Sequence, residues 1–494
     1  MDLNRLSLKK ALIGLKNKDF SAVELVESYL AQMEKFRNLN AYILELKEQA
    51  LENAKLADKR IANNTARILE GVPIAVKDLF CTKGIRTTAG SKMLENFVPS
   101  YTATVVKNLQ DKGAIMIGKT NLDEFAMGTT NISSYFGSVI NPWRNKNDPK
   151  VDLVPGGSSG GSSASVAGFL SIAALGTDTG GSIRQPAAFT GIVGIKPTYG
   201  RCSRYGIIAF ASSLDHAGVI ARSVEDGAII LENMMGHDEK DSTSEKLPVP
   251  ELSANISKDI DSFIKNMIVG IPKDLLVNPD LNPEILNNWK NVIELLEKQG
   301  VKIVDITLPH LPYAIQAYYI IAPAEASSNL AKYDGIKYGY RHDANNLEEL
   351  YFMTRTNGFG KEVKRRIMLG TYVLSSGFKD AYYSKALKVK KLIIKDFQDA
   401  FSSVDAILLP STPNEAFPIN NKQSLVDAYL NDIFTAPANI AGLPALSLPT
   451  DLSKNGLPLS IQLITAKFNE EKLLKLAYTT EKLINKQFIP GGFA

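Results

Sequence analysis

Apolar residues recur at helical spacing among charges through the first sixty or so positions of the chain. Between about residues 5 and 60, Val23, Leu25, Val26, Tyr29 and Leu30 share one face, which predicts amphipathic helices laid over a sheet. The period then changes. Gly71 to Val76 is a short β-branched run ending in Lys77-Asp78, a strand that delivers a lysine to the loop at its carboxyl end. Tyr101 to Lys112 predicts a helix stopped by Gly113, and Ala114 to Ile117 a second strand. From Gly236 to Lys258 Asp, Glu, Ser, Lys and Pro displace apolar residues, the mark of an exposed excursion at a lobe boundary. Beyond it Ile268 to Ile271 reads as a strand. Asn282-Pro283 then starts a helix with Ile285, Trp289, Val292 and Leu296 on one face, Gly300 ends it, and Val301 to Ile306 is another strand. Helix alternating with strand predicts an α/β core, and no internal repeat is present.

Composition narrows the class. Of 494 residues 45% are hydrophobic, enough for a large core, and 56 basic against 52 acidic residues leave a net charge of +4. Any nucleic-acid contact is therefore local, and no autonomous RNA-binding domain is expected. Two cysteines, Cys81 and Cys202, exclude a disulfide framework and a cysteine-based metal site, and fit a reducing cytosol. Residues Met1 to Arg5 lead into a polar amphipathic segment without a signal-type apolar core, and the longest apolar runs fall short of a membrane span. A soluble cytoplasmic protein without membrane contact is expected.

The densest chemical signal lies between Pro155 and Pro197. Eleven of the 35 glycines fall between Gly156 and Gly200. Two clusters, Gly156-Gly157-Ser158-Ser159-Gly160-Gly161-Ser162 and Asp178-Thr179-Gly180-Gly181-Ser182, are joined by the small apolar run Ala164 to Leu175, too regular for a flexible linker. A helix beginning at Ile183-Arg184-Gln185 would aim the N–H groups of Thr179, Gly180, Gly181 and Ser182 at one spot, an oxyanion site. The four histidines, His216, His237, His310 and His342, form no metal-type pair and flank no GxSxG elbow, so Ser-His-Asp chemistry is disfavoured, and His216 beside Asp215 reads as structural. Gly113 to Thr120 matches the P-loop pattern GxxxxGK[ST] letter for letter. Its four intervening residues are themselves the apolar strand, which argues against a phosphate site and leaves nucleotide binding as a competing reading. A serine nucleophile then needs another base, and a lysine serves if burial lowers its pKa from about 10.4 toward about 7 or 8. Lys77 is the best-placed lysine; a salt bridge with Asp78 or a solvated strand end fits the same spacing.

Gly-Gly-Ser-Ser-Gly-Gly-Ser at 156–162, Gly-Thr-Asp-Thr-Gly-Gly-Ser-Ile-Arg-Gln-Pro at 176–186 and Gly-Ile-Lys-Pro-Thr at 194–198 closely resemble the amidase signature family. Ser158 and Ser182 stand 24 residues apart, as that family's catalytic serines do. The resemblance implies one amidase domain over residues 1–494: a single large mixed sheet flanked by helices, with a helical region at about 1–60 and a catalytic core at about 65–230 packed with 265–485. It implies Ser182 as acyl-forming nucleophile, Ser158 as proton relay behind a cis peptide after Gly157, and Lys77 as base. Thr179, Gly180 and Gly181 would join Ser182 in the oxyanion hole. Ser159, Ser162 and Ser163 read as loop-shaping hydroxyls or helix caps, Ser159 being also close enough in sequence for a relay.

Asp123 to Gly128, Tyr318-Tyr319, Glu325 to Leu330, Tyr333 to Ile336 and Gly358 to Arg366 narrow the resemblance to the A subunits of glutamyl-tRNA(Gln)/aspartyl-tRNA(Asn) amidotransferases. By that resemblance Gly128, Tyr318, Arg365 and Asp432 hold free glutamine. Arg365 would grip the α-carboxylate bidentately and Asp432 pair with the α-ammonium. The chain itself would carry no metal or cofactor. Subunits B and C would complete a heterotrimer in which the partner binds ATP, Mg and Glu-tRNA(Gln) and receives the ammonia. A stand-alone amidase acting on small neutral amides is the alternative, and it would need neither Arg365 nor Asp432. Two features depart from the pattern. The polar segment 144–153 is about six residues longer than in many relatives and reads as a surface loop, and His216 stands where relatives often carry glutamine.

Overall fold

The computed structural model describes residues 2–277, 281–421 and 429–493. Eleven strands form one mixed sheet: β1 (Tyr42–Glu45), β2 (Pro73–Lys77), β3 (Ile115–Thr120), β4 (Ala173–Asp178), β5 (Val193–Lys196), β6 (His216–Ala221), β7 (Ile268–Pro272), β8 (Lys302–Ile306), β9 (Ala406–Pro410), β10 (Ala445–Leu452) and β11 (Pro458–Thr465). Their order across the sheet is β1-β3-β2-β4-β6-β5-β10-β11-β9-β7-β8. Two parallel groups, β3-β2-β4 and β9-β7-β8, are joined by antiparallel neighbours between them. Parallel pairing needs long crossovers, and helices supply them: Thr104–Asp111 between β2 and β3, Gly160–Ala167 between β3 and β4, and Pro283–Lys298 between β7 and β8. Strands β2, β3 and β4 are buried at every position, and each opens on an apolar run before polar residues at its carboxyl end.

Side chains alternate between two apolar layers. On β9, Ala406 and Leu408 join the layer of the amino-terminal helices, whereas Ile407 and Leu409 join the layer under the helix Ala314–Asn329. The helix Ala22–Lys35 starts in a capping box made by Ser21 and Glu24 and buries Leu25, Val26, Tyr29 and Leu30, as the spacing predicts, with Val23 half-buried. Asn282 caps Pro283–Lys298 by accepting the Glu284 N–H, again as read.

One expectation changes, and two are refined. The region 5–60 is not wholly helical: Asn40 takes a left-handed backbone, φ 52°, and Tyr42–Glu45 leaves it as an edge strand on β3, because a four-residue β-prone run is too short to stand out between two helical patterns. Gly113 to Thr120 enters and forms β3, with Lys119 fully buried. Its Nζ donates to the Phe80 carbonyl at 2.7 Å and the Thr87 hydroxyl at 2.8 Å and pairs with Asp78 at 3.1 Å, so this lysine holds the loop after β2 rather than facing a phosphate. The segment after Gly236 is largely exposed, as read, and is pinned at a few buried points. Asp241 is buried against Arg204 at 2.6 Å, Asp238 accepts the Ser203 hydroxyl at 2.7 Å, and Leu252 and Ile256 enter the core. The loop 144–153 lies largely at the surface, tied by Arg144 to Asp152 at 2.8 Å.

Candidate active site

Lys77 ends β2 with its side chain fully buried. Its Nζ donates to three hydroxyls: Ser158 Oγ at 2.8 Å, Ser159 Oγ at 2.9 Å and Thr177 Oγ1 at 2.8 Å. Three short polar partners solvate an ammonium poorly. Burial therefore pushes the Lys77 pKa down to about 7, with Asp123, Asp178 and Asp215 pulling only partly the other way. Thr177 arrives on β4, which runs parallel to β2, so the two carboxyl ends meet at one edge of the sheet.

Ser158 follows a cis peptide from Gly157, and its carbonyl accepts the Asp123 N–H at 3.2 Å. The Asp123 carboxylate is walled in behind the serine. A Cβ on Gly157 would lie 2.1 Å from it and one on Gly128 2.3 Å, so both glycines are places of closest approach. Ser162 and Ser163 donate to the Leu175 and Gly160 carbonyls at 3.0 Å each and shape the turn. Ser159 caps no helix; its hydroxyl sits between Lys77 and the Thr177 carbonyl. Ser182 joins this group through its carbonyl, which accepts the Ser159 N–H at 3.2 Å. Among the described residues no hydrogen bond links the hydroxyls of Ser158 and Ser182. Such links commonly tighten only around a bound substrate. Ser182 keeps 7% of its surface exposed where Lys77 and Ser158 keep none, so a ligand reaches it first.

A buried ion pair holds the loop in front of Ser182. Arg184 donates to the Asp178 carboxylate from Nε at 3.0 Å and Nη2 at 2.9 Å, and Asn439 adds a bond at 2.9 Å. Burial would raise the Asp178 pKa, but the guanidinium overrides it and holds the carboxyl well below its usual range. Gly181 has φ 143°, and a Cβ there would stand 2.2 Å from Thr435 Oγ1, so only glycine fits. Thr435 Oγ1 donates to the Gly180 carbonyl at 2.7 Å, and the Thr179 hydroxyl donates to Asp215 at 2.7 Å. The N–H groups of Thr179, Gly180, Gly181 and Ser182 have no protein partner among the described residues, which leaves them open to an oxyanion.

Tyr318 and Asp432 border this loop. A Cβ on Gly180 would be 2.5 Å from Tyr318 Cζ, and one on Gly181 3.0 Å from Asp432 Oδ1. Burial pushes the Asp432 pKa up to about 8, and the charge of Arg366 pulls it back. That guanidinium is the neighbour of the expected Arg365. Arg365 turns to Glu362 and stays about a third exposed, 31%, whereas Arg366 is buried over the rings of Tyr319 at 5.3 Å and Phe210 at 5.4 Å, held from Nε by Glu362 at 2.8 Å. Consecutive helix residues point about 100° apart, and Arg366 is the one that shares the buried stripe of Val363, Gly370 and Val373.

The amidase family model matches residues 24–474. The chain belongs to the amidase family. Among its relatives, the A subunit of glutamyl-tRNA(Gln) amidotransferase from Orientia tsutsugamushi (strain Ikeda) is 54% identical over 495 residues, with 100% of each chain covered. The protein of the same name from Rickettsia bellii (strain OSU 85-389) is 55% identical over 496 residues, again with 100% of each chain covered. The solved structure of the glutamyl-tRNA(Gln) amidotransferase A subunit from Thermotoga maritima superposes with a TM-score of 0.78 at 36% identity, covering 98% of this chain and 95% of that one. A native peptide amidase from Stenotrophomonas maltophilia superposes with a TM-score of 0.81 at 26% identity, with 98% of each covered. The large mixed sheet flanked by helices is thus the amidase fold.

Four residues around this amidase site escaped the sequence reading: Thr177 and Asp123 beside Lys77 and Ser158, Asp215 behind Thr179, and Arg366. Only Arg366 left a legible signal, its place on the buried stripe of its helix. His216 lies behind the loop, its Nδ1 2.5 Å from the Leu214 carbonyl and 3.2 Å from that of Asp178, and burial pushes its pKa well down, so the ring is neutral and structural. Among the described residues no cluster of His, Cys, Asp or Glu could hold a metal, and no helix is long and apolar enough to cross a membrane.

Proposed function

We propose that this chain is the glutamine-hydrolysing component of a tRNA-dependent amidotransferase. The observation that carries the reading is the 54% identity over the full length to the A subunit of a glutamyl-tRNA(Gln) amidotransferase. The geometry supports it. Ser182 Oγ attacks the side-chain carboxamide carbon of glutamine, and its proton passes through Ser158 to the neutral Nζ of Lys77, 2.8 Å away. The N–H groups of Thr179 to Ser182 take up the oxyanion, where loss of one such donor typically costs about 3–4 kcal/mol. The tetrahedral intermediate collapses, the proton returns along the same path to the nitrogen, and ammonia leaves. Water then attacks the acyl-enzyme, again with Lys77 as base, to give glutamate.

Tyr318, Arg366 and Asp432 hold the substrate, the guanidinium on the α-carboxylate and Asp432 on the α-ammonium, with Gly128 closing the wall at Asp123. Subunits B and C are the proposed partners. The partner binds ATP, Mg and Glu-tRNA(Gln) in the cytoplasm and uses the ammonia to form Gln-tRNA(Gln). Ammonia release from free glutamine by the purified chain, alone and with those subunits, tests this for wild type, Ser182→Ala and Arg366→Ala. The serine change should abolish turnover and the arginine change should weaken glutamine selectively. Preferential turnover of simple amides, indifferent to Arg366, would make this a stand-alone amidase.

A further inference from the structure

Asp123 and Glu124 are consecutive and both buried, yet they serve different neighbours. Asp123 faces Ser158 and Gly157. Glu124 faces the other way: its Oε1 accepts the Ser91 hydroxyl in a short bond and its Oε2 accepts the Gly360 N–H at 2.8 Å. Gly360 is the residue before the first turn of the helix Lys361–Leu374, and as a glycine it offers no side chain to the unpaired N–H groups there. Glu124, 236 residues away in sequence, supplies the missing carboxylate, where the helix dipole favours negative charge. The fit is close, since a Cβ on Gly360 would stand 2.3 Å from Glu124 Oε2. Ser91 Oγ also reaches the Gly358 carbonyl at 3.3 Å, so both sides of the bend between the helices Leu347–Gly358 and Lys361–Leu374 are tied to one carboxylate. That second helix carries Glu362 in its first turn and Arg366 one turn later, and Glu362 holds the Arg366 guanidinium.

We propose that Glu124 is a positioning residue: it clasps the helix of Glu362 and Arg366 to the loop that backs Ser158, and thereby sets the affinity for a substrate bearing an α-carboxylate. The inference rests on the glutaminase reading above. Glu124 touches neither substrate nor nucleophile. Its action runs through the amino end of the helix, which on losing its carboxylate partner frees Glu362 and with it the direction of the guanidinium. A defect of this origin raises the KM for glutamine and spares the chemical step at Ser182.

The test compares wild type, Glu124→Ala, Glu124→Gln and Glu124→Asp in two assays. One is steady-state ammonia release from glutamine. The other is the rate at which neutral phenylmethanesulfonyl fluoride sulfonylates Ser182 with loss of fluoride, which needs the nucleophile and base but no α-carboxylate site. Glu124→Ala should raise KM about tenfold or more, with kcat and the sulfonylation rate within about threefold of wild type. Glu124→Gln keeps an acceptor for the Gly360 N–H and should recover most of the affinity. If Glu124→Ala does not fold, Glu124→Asp decides, because it keeps the charge but is one methylene too short to reach both partners and should show the same split. An unchanged KM, or an equal fall in glutamine turnover and sulfonylation, overturns the proposal. Wild type that releases no ammonia from glutamine yet is sulfonylated at Ser182 would instead overturn the glutaminase reading.

Discussion

Replacing Lys77 by methionine should remove the activity and a large pH-dependent cost to stability at once. The folded protein holds this amine at a pKa of about 7 against an ordinary 10.5, because burial strips its water and three hydroxyls replace it only in part. Between those two values the unfolded chain binds a proton that the folded chain does not, so this residue makes stability rise with pH through that window. At 1.36 kcal/mol per unit, the lysine costs the folded state about 4 kcal/mol at pH 7 and about 2 kcal/mol at pH 9. Methionine fills a similar volume and does not titrate. It leaves three hydroxyls short of a partner at about 1 kcal/mol each, a penalty that shifts the comparison but not its slope. The advantage of Lys77→Met over wild type should therefore shrink by about 2 kcal/mol from pH 7 to pH 9, about 2 °C in Tm for a chain of this length. Paired thermal unfolding scans at several pH values read this directly. A gap that stays flat would mean that the buried lysine keeps an ordinary pKa and its charge, and it could not then accept the serine proton.

Glutamine hydrolysis should carry two titrations. kcat/KM falls below about pH 7 as Lys77 gains its proton. KM falls as pH rises through about 8, where the buried Asp432 ionises. Asp432→Asn should erase the second limb and keep the first, and loss of both together would refute the assignment. Arg184→Leu strands the buried Asp178 charge and should cost about 3–5 kcal/mol, read as a Tm several degrees lower. Asp178→Asn in the same chain should restore part of it, and a single-variant loss under about 1 kcal/mol would show that the pair does not hold the loop.

Much of the site is written locally. The glycine and serine clusters, their 24-residue spacing and the β-branched run into Lys77 are properties of short stretches, and turn chemistry and burial period act over a few residues. The helix Pro283–Lys298 and its Asn282 cap are legible for the same reason. Other features exist only in three dimensions. Thr177 meets Lys77 because β2 and β4 are parallel neighbours, an outcome of strand order that neither strand encodes alone. The edge strand β1 is a strand because β3 is there to pair with it. Arg365 and Arg366 are chemically equal, and although the helical stripe marks Arg366 as the buried one, only packing places its guanidinium over Tyr319 and Phe210. Glu124 and Gly360 meet across 236 residues. Local sequence determined which groups this chain offers, because conformational preference is short-ranged. Tertiary structure decided which of them meet, and in meeting lose water, because burial and contact depend on how distant segments pack.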